Sequence, residues 1–164
     1  MQASPSSARI LIPVGEAASR ELITRALHVL SAFANPLIVL LHVIEVPSRT
    51  ATLDPELYPK EMSDAQRRLA EISEWLTNQG MNVRSKVAVA RSVPGGIVTE
   101  TKNDDYLIVF LMKRPLEKGW RRLFHHSVSQ QVVRSADCFV MTAPLELSSG
   151  QQKRGANTES PSAS

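Results

Sequence analysis

The feature that most constrains the fold is a series of short apolar runs separated by polar loops and helical segments. Residues 37–44 are the clearest run, because every residue except His42 is apolar. Two similar runs lie within residues 106–112 and 137–143, which are predicted as the fourth and fifth strands. Strands without polar alternation are typical of a parallel sheet covered by helices on both faces. These runs therefore predict an α/β fold built on buried parallel strands.

Two further strands and four helices complete the predicted fold. Residues 9–14 are a short apolar strand in which Pro13 marks the end of pairing, and residues 82–89 alternate like an edge strand. Helices are predicted over residues 17–33, 62–76, 97–102 and 127–135. Strands and helices thus alternate from the first element to the last. With right-handed crossovers, this order gives a single doubly wound, five-stranded parallel sheet.

Several local patterns give sharper expectations. The first helix carries an apolar stripe of Leu22, Ala26, Val29 and Phe33. Ser63 with Gln66 is a capping-box pattern at the start of the second helix, and Gly80 is a stop signal after it. Residues 45–60 contain three prolines and no period, so they predict a long loop, and residues 92–96 predict a turn.

Length and composition indicate one soluble domain. With 164 residues, 43% of them hydrophobic, the chain is long enough for one core and short for two. We expect a flexible N-terminus over residues 1–7, a domain over residues 8–144 and a disordered tail over residues 145–164. Cys138 is the only cysteine, which suits a reducing, cytoplasmic location and an inert buried thiol. No secretory signal or membrane span is expected, because the longest apolar stretch is about half a span.

Residues 9–144 resemble the universal stress protein (UspA-like) family. The resemblance is carried by residues 10–14, by the Leu-His-Val segment of residues 41–43, and by residues 107–109, 127–133 and 138–142, in that order. It implies an adenine-nucleotide alpha-hydrolase-like fold with strand order 3-2-1-4-5. It also implies a homodimer formed through the last strand, at Phe139, Val140 and Met141.

The ATP-binding members of that family carry three glycines after the fourth strand, and this sequence lacks them. Matched through Ser127, the glycine positions hold Lys113, Leu116 and His126. Gly15 stands where the ATP-binding members have an acidic residue. Ser127 and Val43 do match. The resemblance therefore implies the family fold with a degenerate nucleotide site.

Two interpretations of the basic loop at residues 113–122 remain open. In the first, Leu116 and His126 fill the space for phosphates, and the site is closed. In the second, basic side chains replace the backbone donors and hold an anion by charge. The candidate nucleotide- or anion-binding residues are then Val43, Lys113, Arg114, Arg121, Arg122 and Ser127. Lys118 adds a further cation, and Glu117 is the only acid in the loop.

No other chemistry is indicated by the sequence. His125 and His126 are adjacent and lack a second pair at ligand spacing, so no metal site is expected. Ser127 has no evident base, and we predict no catalytic residue and no enzymatic activity. A single short basic patch on a chain with 16 acidic residues does not indicate nucleic-acid binding. His42 is interpreted as a core histidine of a central strand, with its hydrogen bonds satisfied.

The hypothesis from sequence is a non-enzymatic regulatory module for stress responses, without a cofactor, that acts through dimerisation and partner binding. The alternative is a regulator that binds ATP or another adenine nucleotide through the basic loop. A third hypothesis is a soluble partner of a transporter, because residues 43–50 resemble the universal-stress-type domains that follow some transporters.

Overall fold

Strands and helices alternate along the whole described part of the chain. A computed structural model describes residues 7–15, 20–113 and 128–144. The elements in chain order are β1 (Arg9–Pro13), α1 (Arg20–Leu30), β2 (Leu37–Glu45), a 3-10 helix (Pro55–Leu57), α2 (Pro59–Asn78), β3 (Asn82–Ala90), α3 (Val93–Asn103), β4 (Ile108–Lys113), α4 (Val128–Ser135) and β5 (Phe139–Pro144).

The five strands form one parallel sheet in the order β3-β2-β1-β4-β5. β1 lies in the centre, with β2 on one side and β4 on the other. Ile10 is paired with Ile38 of β2 and with Ile108 of β4. The doubly wound, five-stranded sheet with order 3-2-1-4-5 that the sequence predicts is confirmed.

The two faces of the sheet belong to two separate hydrophobic cores. Ile10 and Ile12 of β1 pack with residues of α1 and α2 on one face. Leu11 packs with Ile97 of α3 and Val132 of α4 on the other. These five side chains are at most 1% exposed, and the nearby Val14 and Phe110 are each 2% exposed. Successive side chains of β1 thus point alternately into the two cores, as expected for a strand covered by helices on both faces.

β2 is the long buried strand that its apolar run predicts. Every residue from Leu37 to Ile44 is buried except His42, which is half-buried, and the strand ends at the exposed Glu45. Apolar burial of this kind contributes about 1.5–3 kcal/mol for each large side chain. β2 therefore anchors the sheet beside β1.

The first helix ends three residues earlier than predicted, and its predicted stripe is confirmed only in part, because Ala26 is buried and Phe33 packs against the core but Val29 does not. α1 ends at Leu30, and Asn35, with φ 49°, turns the chain into β2. Ile23, Ala26 and Leu30 are buried, whereas Val29 is 40% exposed. The prediction for Val29 was wrong because the segment holds two overlapping apolar series with helical spacing. Periodicity alone does not decide which of them faces the sheet.

The second helix starts four residues before the predicted cap. α2 begins at Pro59, whose fixed φ and missing N–H suit the first turn of a helix. Ser63 therefore lies inside the helix, exposed to solvent, and the predicted capping box is wrong. The stop at Gly80 is confirmed. Gly80 has φ 80°, and the N–H of Met81 donates to the carbonyl oxygen of Leu76 at 3.1 Å, as in a Schellman motif.

The predicted turn at residues 92–96 is the first turn of a helix. α3 begins at Val93, and the Ser92 Oγ accepts a hydrogen bond from the N–H of Gly95 at 3.2 Å. A proline followed by two glycines is typical of a turn, but proline is also favoured at the first position of a helix. The side-chain cap at Ser92 decides in favour of the helix.

Three predicted segments lie largely outside the described residues. They are the flexible N-terminus, the basic loop and the tail of residues 145–164. The described residues include Ser7 from the N-terminal segment and Lys113 from the basic loop.

Candidate functional site

The carboxyl ends of β1 and β4 mark the switch point of the sheet. These strands are neighbours, but the chain continues from β1 toward β2 and from β4 toward β5. In open α/β sheets, ligands bind in the crevice that such a switch point creates. β1 ends at Pro13 and is followed by Val14 and Gly15, while β4 ends at Lys113. Lys113 is thus at the edge of the sheet where the predicted site would lie.

His42 of β2 forms a hydrogen bond with the residue that follows β1. The N–H of Val14 donates to the carbonyl oxygen of Leu41 at 2.7 Å, so the pairing continues one residue past Pro13. The Val14 carbonyl oxygen lies 2.8 Å from His42 Nδ1. Because a carbonyl oxygen only accepts, Nδ1 carries the hydrogen in this pair, and a neutral ring then leaves Nε2 as an acceptor. The expectation that His42 is hydrogen-bonded is confirmed, in a half-buried position.

Gly15 leaves open space at the start of the turn after β1. It is exposed, and a Cβ added at this position would meet no atom within 4 Å among the described residues. Among the described residues, packing therefore leaves space for a Cβ at this position.

Val43 is a packing residue in contact with α3. It is 9% exposed and belongs to the core on the α3 and α4 face. A Cβ added at Gly96 would lie 2.6 Å from Val43 Cγ1 and 3.1 Å from Ala90 Cβ. Gly96 thus allows the first turn of α3 to approach β2 and β3 closely. The sequence signal for Gly96, a glycine pair after a proline, was interpreted as a turn, so this packing role was missed.

The structure places two of the six candidate nucleotide-binding residues. Val43 lies on β2 and Lys113 is the last residue of β4, two strands away in the sheet. Arg114, Arg121, Arg122 and Ser127 lie outside the described residues. That the basic residues and Val43 together bind a nucleotide or another anion stays a prediction.

The three candidate interface residues lie on an edge strand. β5 pairs with β4 on one side only within the described sheet. Phe139 is 72% exposed, whereas Val140 and Met141 are partly buried against the two cores. Cys138, just before the strand, is half-buried, and burial raises the pKa of its thiol. A raised pKa keeps the thiol protonated and less reactive.

A buried carboxylate that the sequence did not reveal connects β3, α3 and the start of β4. Glu100 is 4% exposed, and its Oε1 accepts hydrogen bonds from Lys86 Nζ at 2.7 Å and from the Tyr106 hydroxyl at 2.6 Å. Burial, together with the bond to Glu100, raises the pKa of Tyr106 above its ordinary value. The hydrogen bonds of these three residues go to one another, so we interpret the cluster as structural.

Other features of the described residues do not add a reactive site. No group of three or more histidine, cysteine, aspartate or glutamate residues could hold a metal ion within residues 7–15, 20–113 and 128–144. No helix in those ranges combines the length and the apolar character needed to cross a membrane. A groove of about 690 Å³ runs between α2 and β3, beside Met62, Leu69 and Lys86, at the edge of the sheet distant from β4.

The comparison with solved structures agrees with this architecture. The universal stress protein UspA from Lactobacillus plantarum is 20% identical, with a TM-score of 0.64 over 82% of this chain and 96% of that chain. The universal stress protein from Archaeoglobus fulgidus in complex with dAMP is 16% identical, with a TM-score of 0.55 over 82% and 96%. A universal stress protein in complex with cAMP is 12% identical, with a TM-score of 0.57 over 85% and 98%. At these identities the likeness shows the fold.

The comparison with sequence families covers the whole domain. No curated protein matches the chain. The model of the universal stress protein family matches residues 7–144, which include all five strands. The chain belongs to the universal stress protein family.

Proposed function

We propose that this protein is a non-enzymatic regulatory module of the stress response that acts by forming a homodimer and binding a protein partner. Family membership supports a role in the stress response. The absence of a carboxylate at Gly15 and of the three phosphate-binding glycines supports a role that does not depend on nucleotide turnover. A homodimer would have its contact at β5.

The exposed apolar edge at β5 is the observation that carries this proposal. Phe139 is 72% exposed on a strand whose outer side has no neighbour in the described sheet. An open apolar edge favours pairing with another chain unless it is covered or charged. The opposite edge, β3, exposes Arg84 and Lys86, which discourage such pairing. The contrast between the two edges favours β5 as the contact.

Light scattering after size-exclusion chromatography tests the role of this edge. We expect the wild type to have the mass of a dimer and Phe139→Glu to have that of a monomer, because a charge would be buried at the contact. Leu57→Glu is the matched control, since Leu57 is also apolar and 59% exposed but lies far from β5 in the chain, in the 3-10 helix. A wild-type monomer at micromolar concentration would overturn the proposal.

A second candidate function is binding of an adenine nucleotide. It is favoured by the position of Lys113 at the switch point, ahead of the basic residues Arg114, Arg121 and Arg122 and of Ser127. Two proteins with the same fold have been solved with dAMP and with cAMP. A cluster of cations would bind the phosphates mainly by charge, and such binding weakens as salt rises.

Calorimetry with ATP, AMP and cyclic dinucleotides, with and without magnesium and at two salt concentrations, tests this candidate. Salt-sensitive binding that Lys113→Ala and Arg114→Ala weaken would support the basic loop as the site. Binding that ignores both substitutions would exclude that loop. No binding by the folded protein would leave the dimer proposal as the function and favour a site closed by Leu116 and His126.

The partner in the first proposal would be identified by co-purification. A membrane transporter is the specific candidate, because residues 43–50 resemble domains attached to transporters. Recovery of the tagged protein with a transporter would support this partner, whereas a dimer without any membrane association would count against it.

A further inference from the structure

Residues 47–58, here called the strap, lie at the carboxyl edge of the sheet between β2 and α2. The strap follows Val46, whose N–H donates to the carbonyl oxygen of Ala90 at 2.8 Å and whose side chain is 8% exposed. None of the twelve strap residues is buried. A segment with so little buried apolar surface has little local stability from packing.

The strap has its own internal hydrogen bonds. The N–H of Asp54 donates to Thr52 Oγ1 at 3.3 Å, and the N–H of Glu56 donates to Asp54 Oδ1 at 3.1 Å. The Tyr58 hydroxyl donates to the carbonyl oxygen of Thr52 at 2.7 Å. These bonds give the strap a defined shape and do not attach it to the sheet.

Arg91, the first residue after β3, provides the attachment. Its guanidinium donates to the carbonyl oxygens of Val46 at 3.4 Å, of Ser48, and of Ala51 at 2.6 Å. Among the described residues, no other hydrogen bond joins the strap to the strands, and no carboxylate lies within ion-pair distance of Arg91. One side chain therefore supplies the polar contact between the strap and the sheet.

We propose that Arg91 is a latch and that the strap is a cover that opens as a unit when this latch is released. The planar guanidinium presents five N–H donors in a rigid fork that can span several carbonyl oxygens, whereas an ammonium group presents three donors on a flexible stem. The other bonds of the strap are internal or, like the bond from the N–H of Met62 to the carbonyl oxygen of Tyr58 at 2.9 Å, join its end to the first turn of α2, so they need not break when the strap moves away from the sheet. Opening would separate the strap from Arg91 and from the carboxyl ends of β2 and β3. That edge of the sheet is the one at which open α/β sheets bind ligands.

Limited proteolysis of the full chain tests the latch at one bond. Arg49 is the only lysine or arginine in the strap, so trypsin cuts the strap only between Arg49 and Thr50. We expect Arg91→Ala to raise the initial rate of this cleavage about tenfold or more, because local opening controls access of the protease. Arg91→Lys should give a smaller increase, and mass spectrometry follows each cleaved bond separately.

Arg67→Ala is the matched control. Arg67 is an exposed arginine of α2 that pairs with Asp64 at 2.8 Å, one turn away, and has no hydrogen bond to the strap among the described residues. Its removal should leave cleavage after Arg49 at the wild-type rate. An unchanged rate in Arg91→Ala would overturn the latch. Equal acceleration after Arg84 and Lys86 in β3 would also overturn it, because Arg91 would then stabilise the whole sheet.

Discussion

At the scale of single residues, Gly96 shows how the missing side chain of one residue sets the distance between a helix and the sheet. An added Cβ would lie 2.6 Å from Val43 and 3.1 Å from Ala90. We expect Gly96→Ala to lower the free energy of unfolding by about 1–3 kcal/mol, because overpacking forces neighbouring atoms apart. Gly15→Ala is the control, since no atom of the described residues lies within 4 Å of a Cβ there. Urea unfolding compares the two variants, and equal stabilities would contradict this close packing.

Tyr106 gives a prediction that depends on pH. Its hydroxyl donates to the buried Glu100, and burial with this bond raises its pKa in the folded state. The stabilisation is therefore complete below the unfolded pKa of about 10 and is lost as pH rises toward the folded value. At pH 8 we expect Tyr106→Phe to be about 1 kcal/mol less stable than the wild type.

The difference between the wild type and Tyr106→Phe should shrink above pH 10. The wild type should lose about 1.4 kcal/mol more than Tyr106→Phe for each pH unit between the two pKa values. Urea unfolding at pH 8, 10 and 11 measures this difference. A difference that stays constant across that range would show that the hydroxyl titrates alike in the folded and unfolded states.

At the scale of elements, the two serines with cap-like sequence patterns should respond differently to substitution. Ser92 caps α3 through the N–H of Gly95, whereas Ser63 lies exposed inside α2. We expect Ser92→Ala to cost about 1 kcal/mol of stability. Ser63→Ala should be neutral or slightly stabilising, because alanine has the higher helix propensity. Thermal unfolding checks both variants, and a larger loss for Ser63→Ala would place the cap of α2 at Ser63.

These elements also show what the sequence can and cannot predict. The strands were predictable because uninterrupted apolar runs bounded by loops leave few other folds open, and Gly80 was predictable because its positive φ favours glycine. The starts of α2 and α3 were not, because Pro59 and Pro94 suit a loop as well as a first helical turn. In each case a tertiary contact or a cap decides between structures that the local sequence allows.

The candidate site was predictable only where the family resemblance reaches. The resemblance placed Lys113 after the fourth strand and Val43 on the second, and the structure has them at the end of β4 and on β2, while their part in binding stays a prediction. Arg91 and Glu100 were not predictable, because their roles depend on partners that are distant in the sequence. Arg91 donates to the carbonyl oxygen of Ser48, 43 residues earlier, and Glu100 of α3 pairs with Lys86 of β3, 14 residues earlier. Such pairs have no local signature.

At the scale of the whole molecule, the two edges of the sheet differ in character. The β3 edge exposes Arg84 and Lys86, while the β5 edge exposes Phe139. Natural proteins use charged residues to keep edge strands from pairing with other chains. Within the described residues, one edge is thus protected and the other is suited to the proposed contact, and this asymmetry would allow a closed dimer while opposing open-ended assembly.

Hydrogen exchange of the two edge strands is the most direct test of β5 as the contact between subunits. The N–H of Phe139 points toward β4, so the N–H groups of Val140 and Thr142 point to the open side. We expect these two amides to exchange more slowly as protein concentration rises through the dimerisation range, while the amides of β3 show no such dependence. Rates at β5 that do not change with concentration would contradict pairing of two subunits through this strand.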